Sequence, residues 1–318
     1  MRVRLGIDLG GSFIKAGIID ANAKILAAVK FPSGADTSAA RVKANIHTVY
    51  NTLQEICKNE GYKPVSVGIG SPGTISQPHG KVTDASPNIK GWQGTVLTKL
   101  FNKTSMPVYA DNDANVVALA EYLVSFKGAY KNMIFITVGT GIGGGMIIDS
   151  KLYRGSNYAA TEIGHITINH NGRLCKCGRK GCLEAYASVP AMMKRARYWK
   201  GKLGGKLDKN LTPQILFELY KKGNRIAKRT IIENTEYLGA GIGSLVNVLN
   251  PEIVVIGGGF SGTGREYIGL IESAIKKRAF AAATRKLKVA GARLGNNAGF
   301  VGAALLGLVD KNGKIESK

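Results

Sequence analysis

Arg4-Leu-Gly-Ile-Asp8-Leu-Gly-Gly-Ser12-Phe-Ile-Lys15-Ala-Gly-Ile-Ile-Asp20 reads as two apolar strands joined by a glycine turn. The first strand ends in Asp8. Gly10 and Gly11 allow positive φ and let backbone N–H groups come close to an anion. Ser12 adds a hydroxyl and Lys15 a cation. A tight hairpin and a phosphate loop both fit this pattern when it stands alone. The same design returns in Met133-Ile-Phe-Ile-Thr137-Val-Gly139-Thr140-Gly141-Ile-Gly143-Gly-Gly145-Met-Ile-Ile-Asp149. Two such hairpins, about 130 residues apart, point to a duplicated α/β fold with one phosphate loop in each half.

The segments between them fit that plan. Residues 24–30 read as a third strand. Residues 37–60 carry helical spacing, with Val42, Ile46, Val49, Leu53 and Ile56 on one face. Val65 to Gly70 is a buried strand running into Ser71-Pro72-Gly73, a turn that can bring backbone against a ligand. Pro107 to Asp111 is another strand. A helix begins at Asn112-Asp113-Ala-Asn115, so Asp113 stands at a strand-to-helix junction. It serves there as a helix cap or as a functional carboxylate. Helices are expected over 189–199, 212–222, 226–249, 264–279 and 298–308, with a loop at 201–210. Gly239, Gly241 and Gly243 mark a close approach on the long helix. Pro251-Glu-Ile-Val-Val-Ile-Gly257-Gly258-Gly259 is a buried strand ending in glycines on which a nucleotide can rest. Residues 287–290 form a further strand. No Walker A signature occurs.

Residues 162–184, E-I-G-H-I-T-I-N-H-N-G-R-L-C-K-C-G-R-K-G-C-L-E, gather three of the four cysteines, Cys175, Cys177 and Cys182. His165 and His170 lie just upstream. One histidine and three thiolates close a tetrahedral Zn²⁺ shell. Three buried thiols, or a disulfide with one thiol over, are the alternatives, and the odd count in the loop argues against the disulfide. Glu162 and Glu184 flank the loop, where zinc would hold them in place. Cys57, on a helix, belongs to the core.

The chain has 318 residues, enough for one large domain or two ordinary ones. At 44% apolar residues a real core can form. Four cysteines fit a reducing compartment. The start of the chain runs straight into a strand, without the pattern of a signal peptide, and no apolar run reaches the ~18 residues that span a bilayer. A cytoplasmic protein without a membrane partner is expected. The charge is +23, from 44 basic and 21 acidic residues. Such a field attracts anions of any kind. Aromatics do not interleave with the lysines as in a single-strand binding groove, so no specific nucleic acid is expected.

Taken together, D-L-G-G-S-F-I-K, G-I-G-S-P-G, N-D-A-N, V-G-T-G-I-G-G-G, E-I-G-H, C-K-C-G-R-K-G-C-L-E-A-Y, P-E-I-V-V-I-G-G-G and N-N-A-G-F-V-G-A-A resemble, in order and end to end, the ROK family of repressors, open reading frames and sugar kinases. The resemblance implies an actin-like, duplicated ribonuclease-H-type fold, with two lobes around a central cleft. It implies an N-terminal lobe over 1–117, with the closing helix at about 298–310 packed back on it. A C-terminal lobe over 118–297 carries the zinc loop. Asn112 and Asp113 match the sugar-contacting pair, with Asp113 the catalytic base. Gly73, Glu162, His165 and Glu184 complete the sugar site. His165, Cys175, Cys177 and Cys182 match the zinc ligands, while His170 matches none. Asp8, Gly10, Gly11 and Ser12, with Lys15, match the first phosphate loop; Thr137, Gly139, Thr140 and Gly141 match the second; Gly257 and Gly258 match the nucleotide loop. Ser12 stands where many members have threonine.

The activity implied is an ATP-dependent hexose kinase, with Mg²⁺ near Asp8, structural zinc and glucose as first acceptor. Mannose, fructose or an N-acetylhexosamine are the other acceptors, and a homodimer or dimer of dimers is implied. Polyphosphate is the alternative donor, suited to the basic surface. A sugar-responsive repressor is the alternative of a different class. Its DNA-binding module needs room before the first hairpin, which the position of Asp8 does not leave.

Overall fold

The structure is a computed structural model, and it describes residues 1–84, 89–101, 104–208, 210–259 and 264–316. In chain order the strands and helices are β1 (Arg2–Leu9), β2 (Phe13–Ile19), β3 (Ile25–Pro32), α1 (Ala39–Asn59), β4 (Lys63–Ser71), β5 (Thr74–Ser76), β6 (Lys81–Asp84), β7 (Val108–Asn112) and α2 (Asp113–Ala120). There follow β8 (Met133–Val138), β9 (Ile142–Ile148), β10 (Lys151–Tyr153), α3 (Glu184–Ala187), α4 (Val189–Leu203), α5 (Pro213–Lys221), α6 (Arg225–Leu249), β11 (Ile253–Gly258), α7 (Arg265–Lys276), α8 (Ala281–Thr284), β12 (Lys288–Gly291) and α9 (Ala298–Leu305). The two large sheets have strand orders β3-β2-β1-β4-β7 and β10-β9-β8-β11-β12. Relabelled from their first strand, these are one order used twice. That is the duplicated, actin-like ribonuclease-H topology.

The chain forms two compact units. One takes residues 1–131, 145–161 and 296–318; the other takes 132–144 and 162–295. In the first unit, β1 pairs antiparallel with β2 and parallel with β4, and β4 pairs parallel with β7. The helix α1 is amphipathic: Val42, Ile46, Val49, Leu53 and Cys57 are buried, one or two turns apart. Its N-cap is Ser38, whose hydroxyl accepts the Arg41 N–H at 3.2 Å. The helix α9 has all eight residues buried. A cross-strand row of glycines gives it a floor, with Gly17 opposite Gly6 and Gly6 opposite Gly68. A Cβ on Gly6 would overlap the Phe300 carbonyl, one on Gly68 the Ala303 carbonyl, and one on Gly17 the Phe300 ring. The backbone of α9 therefore lies directly on the backbone of the sheet.

In the second unit, β8 and β11 pair in parallel, Phe135 opposite Val255, and β11 pairs in parallel with β12. Ile134, Phe135, Ile136, Val254, Val255 and Ile256 are all buried, the continuous apolar run of a parallel strand covered on both faces. Side chains, not glycines, make this floor. The helices α6 and α7 pack by close approach, since a Cβ on Gly239 would meet the Ala274 backbone, and Gly241 leaves room for Leu183.

Boundaries moved by a few residues from those expected. The helix α4 continues to Leu203, into the segment expected to be loop, and residue 209 of that loop lies outside the described residues. The closing helix ends at Leu305, followed by a 3₁₀ turn over Leu306–Leu308. Among the described residues no helix is long and apolar enough to cross a membrane.

Candidate functional site

In the first unit the phosphate-loop pattern occupies the β1–β2 turn. Gly10 N–H donates to the Phe13 carbonyl at 3.0 Å, closing the hairpin and leaving Gly11 and Ser12 exposed at its tip. Asp8 and Lys15 face each other in register across the two strands. The Lys15 ammonium lies 3.4 Å from both the backbone and side-chain oxygens of Asn296. Gly299, on α9, leaves room for the Asp8 carboxylate. Burial pushes the Asp8 carboxyl up to about 7; the nearby Asp113 carboxylate adds to the rise and Lys15 opposes it.

Asp113 is the first residue of α2. The N-cap is Asn112, whose side-chain oxygen accepts the N–H groups of Ala114 at 2.9 Å and Asn115 at 3.3 Å. The capping duty that Asp113 might have had thus falls to its neighbour. The other end of the Asn112 amide donates to the Gly73 carbonyl at 3.0 Å, which brings those two expected sugar-site residues together. The Asp113 carboxylate accepts the Ala114 N–H at 2.9 Å and a hydrogen bond from the Asn112 side chain. Burial raises its pKa, against the backbone and Asn112 hydrogen bonds that lower it.

In the second unit Thr137 and Gly257 are cross-strand partners, as are Val138 and Gly258. Gly258 has φ +92°, and a Cβ there would overlap the Val138 carbonyl. The glycine end of β11 and the β8 end of the second hairpin therefore form one backbone-lined surface. Gly139 N–H donates to the Gly141 carbonyl at 2.9 Å. Thr140 is exposed at the tip. Gly141 has a further reason to be glycine: a Cβ would overlap the carboxylate of Glu184, whose Oε2 accepts the Ile142 N–H at 2.9 Å. Glu184, placed by its sequence beside the cysteines, is thus anchored to the β8–β9 hairpin.

Glu162 is exposed and immediately precedes the 3₁₀ turn Ile163–His165. His165, Cys175, Cys177 and Cys182 offer ligand atoms that all lie within 4.8 Å of one another. Cys177 and Cys182 sulfurs are 3.6 Å apart, and Cys175 Sγ is 3.9 Å from His165 Nδ1. A tetrahedral Zn²⁺ with Zn–S of ~2.3 Å separates its sulfurs by about 3.8 Å, so the set fits the ion. The chemistry agrees. Burial and the neighbouring thiols push Cys182 up to about 12, while the Arg179 N–H pulls Cys177 down to about 7. Crowded thiols that resist ionisation together are stabilised as thiolates by a shared dication. His170 is exposed and outside the cluster. The Cys175 sulfur is also 3.9 Å from Glu184 Oε1, which joins the cluster to the Glu184–Ile142 contact.

Sequence reasoning missed a set of buried polar residues behind Asp113: Asp111, Asn115 and Arg154, exposed by 1%, 4% and 8%. Thr161, with φ +69°, adjoins them. A β-branched residue in the left-handed region costs on the order of 1–3 kcal/mol and needs support from its surroundings. Asp111 was visible as a charge on an otherwise apolar strand. Arg154 carried no signal in spacing.

A family model described as "ROK family" matches residues 4–309. A glucokinase of Thermotoga maritima is 32% identical over 310 residues, covering 94% of this chain and 95% of its own. A xylose repressor of Caldicellulosiruptor bescii is 33% identical over 323 residues, covering 96% of this chain and 78% of its own. The crystal structure of a ROK family glucokinase from Streptomyces griseus, in complex with glucose and AMPPNP, superposes with a TM-score of 0.81 at 31% identity, covering 96% of this chain and 98% of that one.

Proposed function

The chain belongs to the ROK family, and from that premise we propose that it is a sugar kinase transferring the γ-phosphoryl group of Mg²⁺-ATP to a hexose hydroxyl, glucose at its 6-position first. The observation that carries the reading is Asp113: a carboxylate at the head of α2, its pKa raised by burial, its neighbour Asn112 tied to Gly73. A sugar hydroxyl is a poor nucleophile at neutral pH. Asp113 accepts its proton as the oxygen attacks phosphorus in line, and a raised pKa makes it a stronger base. Asn112, Gly73, Glu162, His165 and Glu184 position the sugar. The turns around Asp8, Gly10, Gly11, Ser12 and Lys15, and around Thr137, Gly139, Thr140 and Gly141, take the phosphates. Gly257 and Gly258 take the nucleoside. Asp8 would stand beside the Mg²⁺ of Mg²⁺-ATP, which would supply neutralisation of phosphate charge.

A panel of hexoses assayed with ATP and Mg²⁺, with a polyphosphate arm lacking nucleotide, tests the reaction and its donor. Asp113→Asn should lower kcat by about 10²–10⁴-fold while sugar affinity by calorimetry stays within a few-fold. A variant retaining more than about a tenth of wild-type kcat is incompatible with a general base.

His165, Cys175, Cys177 and Cys182 would hold one structural zinc. Four protein ligands would leave the ion no open position, and its binding would contribute folding free energy. One equivalent should co-purify. Stripping it, or Cys177→Ser, should lower both Tm and activity, and protein with full activity at under ~0.2 equivalents would remove zinc from the account. We further read the protein as a homodimer or dimer of dimers. Val248 and Phe280, each 79% exposed, supply apolar surface for association, and a monomeric mass by light scattering at micromolar concentration would refute it. The likeness to a xylose repressor favours a second reading, sugar sensing without turnover. Sugar binding with no sugar phosphate formed from any donor would select it.

A further inference from the structure

Arg154 is buried and the phosphotransfer chemistry makes no use of it. Its Nε–H donates to Asp111 Oδ2 at 2.6 Å. Asp111 Oδ1 accepts two further bonds, from the Asn112 backbone N–H at 2.8 Å and from the Asn115 side-chain amide at 3.0 Å. The side-chain oxygen of Asn115 accepts the Thr161 hydroxyl at 3.4 Å. One continuous hydrogen-bonded chain thus runs Arg154–Asp111–Asn115–Thr161, with a branch to Asn112.

An ion pair this deeply buried is a poor device for stability alone, because desolvation offsets most of the attraction and apolar residues of equal volume serve as well. Its worth has to be sought in what it orients. At one end Asp111 grips the peptide N–H of Asn112. That fixes the Asn112 amide, with its bonds to Gly73 and to the head of α2, and Asp113 follows directly. At the other end Thr161 is held in its left-handed conformation, and Glu162 follows directly. Arg154 also frames this second end. Its carbonyl accepts the Ala160 N–H at 3.1 Å, closing the short loop between them. The spacing N-D-A-N acquires a reason, since Asn115 lies one turn of helix beyond Asp111 and so shares its carboxylate.

We propose that Arg154 is a positioning residue of the phosphotransfer site: through the buried Asp111 and Asn115 it sets the geometry of the Asn112–Asp113 segment and of Thr161, from which Glu162 extends. This rests on the reading of Asp113 as the base and Glu162 as a sugar ligand. Sequence spacing gives no hint of it, because the two ends lie in different motifs.

The test uses the full chain in four forms: wild type, Arg154→Lys, Arg154→Met and the double variant Asp111→Asn/Arg154→Met. Functional sites are counted by calorimetric sugar-binding stoichiometry, and kcat and KM are expressed per site. Arg154→Met should lower kcat per site at least tenfold and raise the sugar KM several-fold, with the ATP KM within twofold. Arg154→Lys should recover most of that loss, because a cation again faces Asp111. Arg154→Met leaves a buried carboxylate without a cation and can fail to fold, and the double variant avoids this by removing both charges. It should fold and still show the tenfold loss in kcat. A purely structural pair behaves differently: fewer sites per chain, each with wild-type kcat and KM. That pattern in the soluble neutral variants overturns the proposal. If neither is soluble, Arg154→Lys decides alone: a residual fall of about two- to threefold in kcat per site, the part of the loss that an ammonium without the guanidinium fork does not recover, supports the proposal, and constants equal to wild type overturn it. Asp113→Asn run in parallel separates the premises. A dead Asp113→Asn beside wild-type-like Arg154 variants overturns this proposal alone, whereas an active Asp113→Asn removes the base and this proposal with it.

Discussion

The two sheets share a strand order but not a floor. In the first, the central row is Gly17, Gly6 and Gly68, and α9 rests on it backbone to backbone. In the second, Phe135 stands four residues before its turn glycine, Gly139, as Gly6 does before Gly10, and Val255 is its cross-strand partner. The carboxylates differ in the same way. The first hairpin keeps one in its own strand, Asp8. The second has Thr137 at that place and receives a carboxylate from elsewhere, Glu184 of α3, lodged against Gly141. Duplication preserved topology, which depends on strand order and apolar pattern. It did not preserve the contacts, which depend on single side chains.

The sharpest way to break the comparison is to exchange floors. Gly68→Ala drives a methyl group into the Ala303 carbonyl, which belongs to a helix backbone and cannot rotate away. Overpacking of this kind costs about 3 kcal/mol or more, and little soluble protein should result. Val255→Ala, the matching position of the second sheet, should cost only about 1–3 kcal/mol through lost burial and a small cavity. Thermal melts of the two measure the difference. A Gly68→Ala protein melting within about 2 °C of wild type would mean that α9 does not sit on that row.

The next test concerns the turns. Gly11 has no atom within 4 Å of where a Cβ would stand, whereas Gly141 backs onto Glu184. Gly141→Ala should displace that carboxylate and raise the sugar KM about tenfold, the loss of one charge-assisted hydrogen bond. Gly11→Ala should leave the sugar KM unchanged and act, if at all, on ATP. Equal effects of both on ATP alone would make Gly141 an ordinary phosphate-loop glycine.

A third test is one of pH. Asp8 is raised from 3.8 to about 7 in the fold, so between those values the folded state binds more protons than the unfolded. Stability of the ligand-free protein should therefore fall as pH rises from about 4 to 7, opposite in sign to an ordinary salt-bridged carboxylate. Asp8→Asn should flatten that slope. The second hairpin, with Thr137 in the corresponding place, contributes none of it. Denaturant midpoints across this range that decline as steeply in Asp8→Asn as in wild type would assign the slope to another group.

The sequence was legible where a pattern repeats or a cluster is local. Both glycine hairpins, the zinc loop with its short ligand spacings, and the apolar strands ending in glycine could be placed from spacing, because turn chemistry and metal geometry act over a few residues. The glycine row was not visible. Glycine inside a strand lowers strand propensity, and the helix that calls for it is nearly the whole chain away. The link between Arg154 and Asp111 was hidden for a related reason: a buried ion pair obeys no spacing rule. Gly141 was read for its turn alone, since the carboxylate beside it comes from a different motif.

The seating of α9 has a consequence for biosynthesis. Its partners β1, β2 and β4 leave the ribosome early, while α9 follows the whole of the second unit. The glycine row must wait, uncovered, through synthesis of everything between. Pairing across so long a loop is slow to form, and the exposed sheet edge and face invite wrong partners meanwhile. The second unit can close on its own residues as soon as β12 emerges. The order of completion in the cell is thus the reverse of the order in the gene: the half that begins first finishes last, and a nascent chain arrested before α9 should be recognised by chaperones through its first sheet.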